Sequence, residues 1–206
     1  MRDAIGRPKT LSLCLLALGI TALLFAPGGT PRGAAAATTA VGPDPIALTV
    51  RTGQTFYVTI AVADVTDLYA WQADVTYSAT YLEYVRVVAG DFLCPAGTSH
   101  FWVPPVTSPG LLDNLADTRL SEDAGVDGSG HLFYVVFRAL SDTSGTNVRV
   151  TNARLVDRNA LEIDKTYINS GNCRVTISAT APVLIQPPLE DNVYLPQALR
   201  NQPGGQ

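Results

Sequence analysis

From residue 55 to residue 65 the chain alternates without interruption, with Phe56, Val58, Ile60 and Val62 on one side and Tyr57, Thr59, Ala61 and Ala63 on the other. A period of two belongs to an extended strand, because successive side chains leave it on opposite faces; a helix would scatter the same residues around its axis. One face of such a strand must be buried, and an isolated strand has nothing to bury it against. The rest of the chain therefore has to supply further strands.

Runs rich in Val, Ile, Thr, Tyr and Phe recur at short intervals from Ile46 onward, with turn residues between them. Residues 46–51 are separated from the alternating strand by Gly53-Gln54, and Asp64 to Asp67 form the turn before residues 68–77. In that third strand Trp71, Ala73, Val75 and Tyr77 share the core face, leaving Ala70, Gln72, Asp74 and Thr76 on the opposite one. Residues 81–88 close at Ala89-Gly90. The turn signal Asp127-Gly128-Ser129-Gly130 leads into residues 131–140, where Phe133, Val135, Phe137 and Ala139 face the core. Residues 147–155 and 167–178 follow, with Asp157-Arg158-Asn159 as a turn between them. Residues 91–110, with Pro95, Gly97, Pro104, Pro105, Pro109 and Gly110 around Phe101 and Trp102, form a long irregular loop before a poorly hydrophobic strand at 111–120. No helix of any length fits. Eight or nine antiparallel strands without crossover helices predict an all-β, two-sheet sandwich.

The beginning of the chain is of another kind. Arg2, Arg7 and Lys9 precede an apolar run over residues 11–26, followed by Pro27, Gly28, Gly29 and Pro31 and a small-residue stretch at 34–37. That order is a secretory signal peptide, with cleavage near Ala36 or Ala37. As a helix the run rises roughly 24 Å, short of the ~30 Å hydrocarbon core; an uncleaved N-terminal anchor is the alternative. Cys14 lies inside the run rather than after it, which excludes a lipid-modified cysteine. The expected organisation is a signal peptide at 1–37, a short linker at 38–43, the sandwich at 44–178, and a Pro-rich linker and tail at 179–206. The predicted location is secreted or at the cell surface, with no membrane contact after signal cleavage.

Removing residues 1–37 also reveals the charge of the remainder. They hold four of the 14 basic residues and one of the 18 acidic ones, leaving ten against seventeen, a formal −7. A surface of that sign repels phosphate backbones and anionic bilayers, so nucleic acid is excluded as a partner. Cys94 and Cys173 are the remaining thiols. In an oxidising space such a pair is expected to be bridged, closing a loop that would contribute ~4 kcal/mol; two buried free thiols are the alternative.

Four segments carry a family resemblance: Gly53-Gln54-Thr55 with its alternating strand; residues 68–77 with Tyr81-Leu82-Glu83; Val88-Ala89-Gly90-Asp91-Phe92-Leu93; and Asp127-Gly128-Ser129-Gly130-His131-Leu132 through Phe137-Arg138-Ala139, Gly145 and Leu155-Val156-Asp157. In this order they resemble a cohesin domain, the bacterial module that binds dockerins in assemblies degrading plant polysaccharide. The resemblance spans about residues 44–178 and implies a nine-stranded jelly roll with no cofactor. It also implies that a dockerin-like protein docks on a flat sheet face including the third and fifth strands. Carried over by position, that face comprises Ala70, Gln72 and Asp74 with Asp113, Leu115 and Asp117. Cohesins carry Asn and Asp where Ala70 and Gln72 align, and those groups hydrogen-bond the dockerin helix. An ordinary solvated sheet face is the competing reading of the same residues.

A second function class is direct polysaccharide binding through exposed rings, for which Phe101 and Trp102 in the irregular loop are the best-placed candidates; Trp71 falls on a core position. Catalysis is not expected, since there is no GxSxG elbow and neither His100 nor His131 lies in a recognisable catalytic motif. No metal site is expected either. Asp123, Gly125, Asp127 and Gly128 supply only the first, fifth and sixth positions of an EF-hand loop, and its closing position is Tyr134. Near the end, Val193-Tyr194-Leu195-Pro196 with Leu199-Arg200 resembles a sorting motif of exported proteins, with an interdomain linker as the equal alternative.

Overall fold

The structure, a computed structural model, describes residues 38–95, 98–120 and 124–189. The expected signal peptide, the motif at 193–200, and Asp123 of the loop weighed as an EF-hand lie outside the described residues. Eleven strands follow one another: β1 (Ala40–Pro43), β2 (Ala47–Val50), β3 (Thr55–Thr76), β4 (Leu82–Ala89), β5 (His100–Val103), β6 (Val106–Ser108), β7 (Leu111–Arg119), β8 (Val126–Ala139), β9 (Thr143–Asp157), β10 (Thr166–Tyr167) and β11 (Asn172–Ile177). A 3-10 turn, Ile168–Gly171, precedes the last. Among the described residues no helix is long and apolar enough to cross a membrane.

The 22-residue β3 organises the rest. Its first part lies between β1 and β8, with Val62 opposite Val41 and Phe56 opposite Phe137. Its second part lies between β9 and β7, with Trp71 opposite both Leu155 and Asp117. The expected turn at 64–67 is therefore not a chain reversal. Asp64 and Asp67 take φ of 52° and 56°, the register with β8 slips there, and the strand bends from one sheet into the other. The predicted turn at 127–130 is likewise absorbed into β8, where it holds this bend: Asp64 N–H donates to Ser129 Oγ at 2.9 Å and Asp67 N–H to Asp127 Oδ1 at 2.7 Å.

β4, β8, the first part of β3, β1 and β10 make one layer; β5, β6, β7, the second part of β3, β9, β11 and β2 make the other. Their inner faces bury Phe56, Val58, Ile60, Phe133, Val135 and Phe137 against Trp71, Val75, Leu112, Leu115, Leu155 and Val175. Trp71 of one layer stacks on Phe133 of the other at 4.8 Å between ring centroids, so the core closes as a sandwich. The architecture is the expected all-β jelly roll, with two parallel pairings, β1 with β10 and β2 with β11.

Three boundaries and one bond differ from expectation. The predicted linker 38–43 contributes β1, paired to β3. The predicted irregular loop at 91–110 contains β5 and β6, both paired to β7. The predicted tail does not leave the domain at 178. Leu184 N–H donates to Gln54 Oε1 at 3.1 Å, and Gln186 clamps Tyr57 by accepting its N–H and donating to its carbonyl, each at 2.8 Å. These contacts cover a stretch of β3 that β1 does not reach, which protects an exposed strand edge. Finally, Cys94 and Cys173 are free, buried thiols, not a disulfide. Cys173 lies on β11, three strands from β7 in the sheet and opposite Val148 of β9. Cys94 lies beside Asp117 of β7, whose level on β9 is that of Leu155. Three strand spacings alone amount to roughly 14 Å, well beyond the reach of an S–S bond.

Candidate functional site

The outer face of the second layer follows from strand register. Phe101 of β5 stands opposite Thr118 of β7, Thr118 opposite Ala70 of β3, and Ala70 opposite Val156 of β9. The neighbouring row runs Val103, Ala116, Gln72, Arg154 across the same four strands. Side chains in register on adjacent strands share a face, so these two rows form a patch of small, apolar, hydroxyl and amide groups that ends at Arg154. Phe101, 59% exposed, stands at one margin of it.

Of the six positions expected here, Ala70 and Gln72 lie on this face, and Gln72 Nε2 donates to Asn114 Oδ1 at 3.0 Å. Asp74 is only 7% exposed. Its Oδ1 accepts Asn114 N–H at 2.9 Å and its Oδ2 accepts Asn152 Nδ2 at 2.6 Å. Asp113 is half-buried opposite Val106 of β6, at the margin. Leu115 and Asp117 point inward, 0% and 2% exposed. The cause is Asn114, whose φ of 59° marks a bulge that moves the alternation of β7 by one residue, so that Ala116 and Thr118 take the outer positions. These two, with Phe101, Arg154 and Val156, are face residues that strand parity alone does not reveal. The available signal was Leu112 and Leu115, whose spacing of three breaks the period of two.

Further along the same face the side chains become cationic. Arg149 stands opposite Thr76 and Asn172, and Arg174 opposite Asn147 and Ala47; both arginines are exposed. Arg154 approaches Glu162 at 3.4 Å, and Glu162 also accepts from Lys165 at 3.0 Å. In a chain of acidic balance this places Arg149 and Arg174 beside the patch and Arg154 at the end of its second row.

Phe101 and Trp102, the rings proposed for sugar stacking, face opposite ways. Trp102 is opposite Asp117, on the inner side, and packs edge-on against Trp71 at 5.8 Å. It closes the end of the core instead of offering a ring face, and Phe101 is left without a second ring beside it in its row.

Beneath this end of the sheet lies a polar cluster. His100 Nδ1 is 2.5 Å from Asp117 Oδ1, and donor atoms of Cys94, His100 and Asp117 all lie within 4.8 Å of one another. Burial raises the Asp117 carboxyl above its ordinary value, opposed by its hydrogen bond to His100. Burial, then the Asp117 charge, pushes the Cys94 thiol up to about 12. Thiol, imidazole and carboxylate in this order resemble a nucleophile, base and orienting group, but the sulfur is a buried, protonated thiol, and nucleophilic attack needs the thiolate.

Comparison with known proteins agrees with this architecture. Residues 47–175 match the family model of the cohesin domain. No curated protein sequence matches the chain. Among solved structures, the chain resembles a non-cellulosomal cohesin from the archaeon Archaeoglobus fulgidus, with a TM-score of 0.54 and 17% identity over 68% of this chain and 91% of that one. It also resembles the cohesin module of a Clostridium perfringens family 33 glycoside hydrolase, with a TM-score of 0.54 and 13% identity over 68% and 97%. A type I cohesin–dockerin complex from Clostridium thermocellum matches with a TM-score of 0.55 and 12% identity over 68% and 93%. At these identities the structural likeness speaks to fold, and the family match covers more than half of the sequence; the chain belongs to the cohesin domain family.

Proposed function

We propose that this chain is a non-catalytic docking module, exported to the cell surface or beyond, that receives a dockerin-like protein on the outer face of its second layer. The supporting observation is the pair of cross-strand rows from Phe101 to Val156 and from Val103 to Arg154. A protein interface calls for flat apolar area with a few polar anchors, and charged groups toward its rim. Gln72 supplies the central anchor and Ala70 and Ala116 the flat ground, while Arg149, Arg154 and Arg174 favour a partner carrying carboxylates on the facing side. Asp74 and Asp117 act through the fold rather than by contact. The Clostridium thermocellum cohesin is found with a dockerin, which supports the same partner class here.

The test is a calorimetric titration of the full chain against dockerin modules encoded by the same genome, with insoluble glucan as the competing target. Saturable binding of a dockerin, weakened about tenfold or more in Phe101→Ala and Gln72→Ala, is the expected result. Binding that persists undiminished in both variants, or binding to glucan alone, would overturn the assignment.

A further inference from the structure

We propose that Cys94, His100 and Asp117 form a binding site for a divalent transition-metal ion, zinc by the chemistry of its donors. The three residues come from separate elements: the turn after β4, the first residue of β5 and the inward face of β7. Their spacing matches no short metal motif, which is why the sequence alone does not disclose them. Folding nevertheless places one sulfur, one nitrogen and one oxygen donor within 4.8 Å of one another.

The donor set selects the ion. Thiolate, imidazole and carboxylate are ligands that zinc accepts together, whereas calcium and magnesium require oxygen. Three protein ligands leave the fourth tetrahedral position for water. Two ligands about 2.0–2.1 Å from one zinc stand roughly 3.3 Å apart at the tetrahedral angle. The 2.5 Å approach of His100 and Asp117 would therefore open by under an ångström as the ion takes the place of their direct contact. The sulfur, within 4.8 Å of the other two donors, would have to close to roughly 3.6 Å from each, as a Zn–S bond of about 2.3 Å requires. Charge is tolerable: Asp117 and an ionised Cys94 offset the dication, and the Arg119 guanidinium, whose Nη1 donates to the Leu93 carbonyl at 2.8 Å, stands beside Cys94 and favours its thiolate. Burial matters as well. Cys94 and His100 are each 8% exposed and Asp117 2%, so an ion there would face little competition from water and would pin β5 to the turn after β4.

Cobalt reports such a site directly, because it substitutes for zinc and absorbs through thiolate-to-metal charge transfer. The full chain, reduced and freed of metal, is titrated with Co²⁺ and then with Zn²⁺. One equivalent of cobalt should give the charge-transfer band together with the intense visible bands of tetrahedral coordination, and zinc should displace it. Cys94→Ser should abolish the band; Cys14→Ser and Cys173→Ser should retain it. His100→Gln should weaken cobalt by more than the ~100-fold that loss of an outer-shell partner brings. Zinc-edge X-ray absorption on the unmutated chain provides a second measurement that no folding defect can confuse, and one sulfur with nitrogen and oxygen neighbours is expected. An absent charge-transfer band, a band that survives Cys94→Ser, or a zinc shell without sulfur would each overturn the site.

Discussion

Asp74 Oδ2 accepts a hydrogen bond from Asn152 Nδ2 at 2.6 Å, tying the centre of β3 to β9 where β9 leaves regular register. On its other side the same carboxylate accepts the Asn114 N–H from β7 at 2.9 Å. Asn114 and Asn152 take φ of 59° and 50°, the left-handed region that asparagine enters more readily than most residues. One buried carboxylate thus holds two bulges, one on each neighbour of β3. Those bulges set which side chains of β7 and β9 reach the outer face.

Asp74→Ala should therefore act on stability before it acts on binding. It removes two hydrogen bonds to a charged acceptor and strands the Asn114 N–H, with an expected loss of about 3 kcal/mol. Gln72→Ala, a half-exposed residue whose Asn114 Oδ1 partner can turn to water, should stay within about 0.5 kcal/mol of the unmutated chain. Urea denaturation of both variants checks this. Equal midpoints would show that Asp74 does not hold the bulges.

The same carboxylate marks where sequence pattern stops being informative. The strict alternation of residues 55–65, the inward Trp71 and the run Phe133, Val135, Phe137 and Ala139 are legible because a period of two maps directly onto burial in a regular strand. The turn at Asp157 is legible through its Asp and Asn. Asp117 is not, because a buried carboxylate is stable only through a partner, and its partner His100 is seventeen positions away in sequence. Nor are the outer positions Ala116 and Thr118, since a single bulge at Asn114 inverts the parity of the residues beyond it. β1 and residues 181–186 are hidden for a related reason: Gly42 and Pro43, and then Pro182 and Pro187, suggest linker composition, whereas edge-covering segments need few apolar residues of their own.

Gly90 should prove intolerant of any side chain. A Cβ built there would meet the His131 carbonyl oxygen at 2.0 Å and the Leu132 carbonyl carbon at 2.9 Å, both backbone atoms of β8 that cannot rotate away. Gly90 N–H also donates to the Leu132 carbonyl at 2.8 Å, so relief by moving apart would break that bond. Gly90→Ala is expected to destabilise by about 3 kcal/mol, the upper range for overpacking. Gly130→Ala, whose Cβ would meet Phe92 side-chain atoms, Cδ2 at 2.4 Å and Cβ at 2.8 Å, also forces a shift, but of a residue outside the paired strands rather than of β8 backbone, and should cost less. Thermal denaturation ranks the two, and a smaller loss for Gly90→Ala would contradict the close approach of β4 to β8.

The thiols offer a chemical check on the absence of a bridge. Burial pushes the Cys173 thiol up to about 12, so at mildly alkaline pH it is protonated as well as shielded. In a Cys14→Ser background kept free of reductant, a disulfide-exchange reagent should find two thiols after denaturation, with Cys173 silent while the fold persists. Two thiols missing after denaturation would establish a Cys94–Cys173 bridge, and prompt reaction of native Cys173 would place it at the surface.

Asp157 gives the pH dependence its sign. Its Oδ1 accepts the N–H groups of Leu161 and Asn159, each at 2.8 Å, in the turn that closes β9. The Leu161 hydrogen bond leads in holding the carboxyl below its ordinary 3.8. A group whose folded pKa is depressed stabilises the fold above its unfolded pKa and loses that contribution as pH falls through the folded one. The turn should thus keep its hydrogen bonds through neutral and mildly acidic pH and release them only below 3.8. Carboxyl-detected NMR titration should place the Asp157 midpoint under that value, with Leu161 and Asn159 amide shifts moving in the same window. In Asp157→Asn those amide shifts should no longer titrate there. An Asp157 midpoint at or above the ordinary value would mean that the carboxylate does not hold this turn.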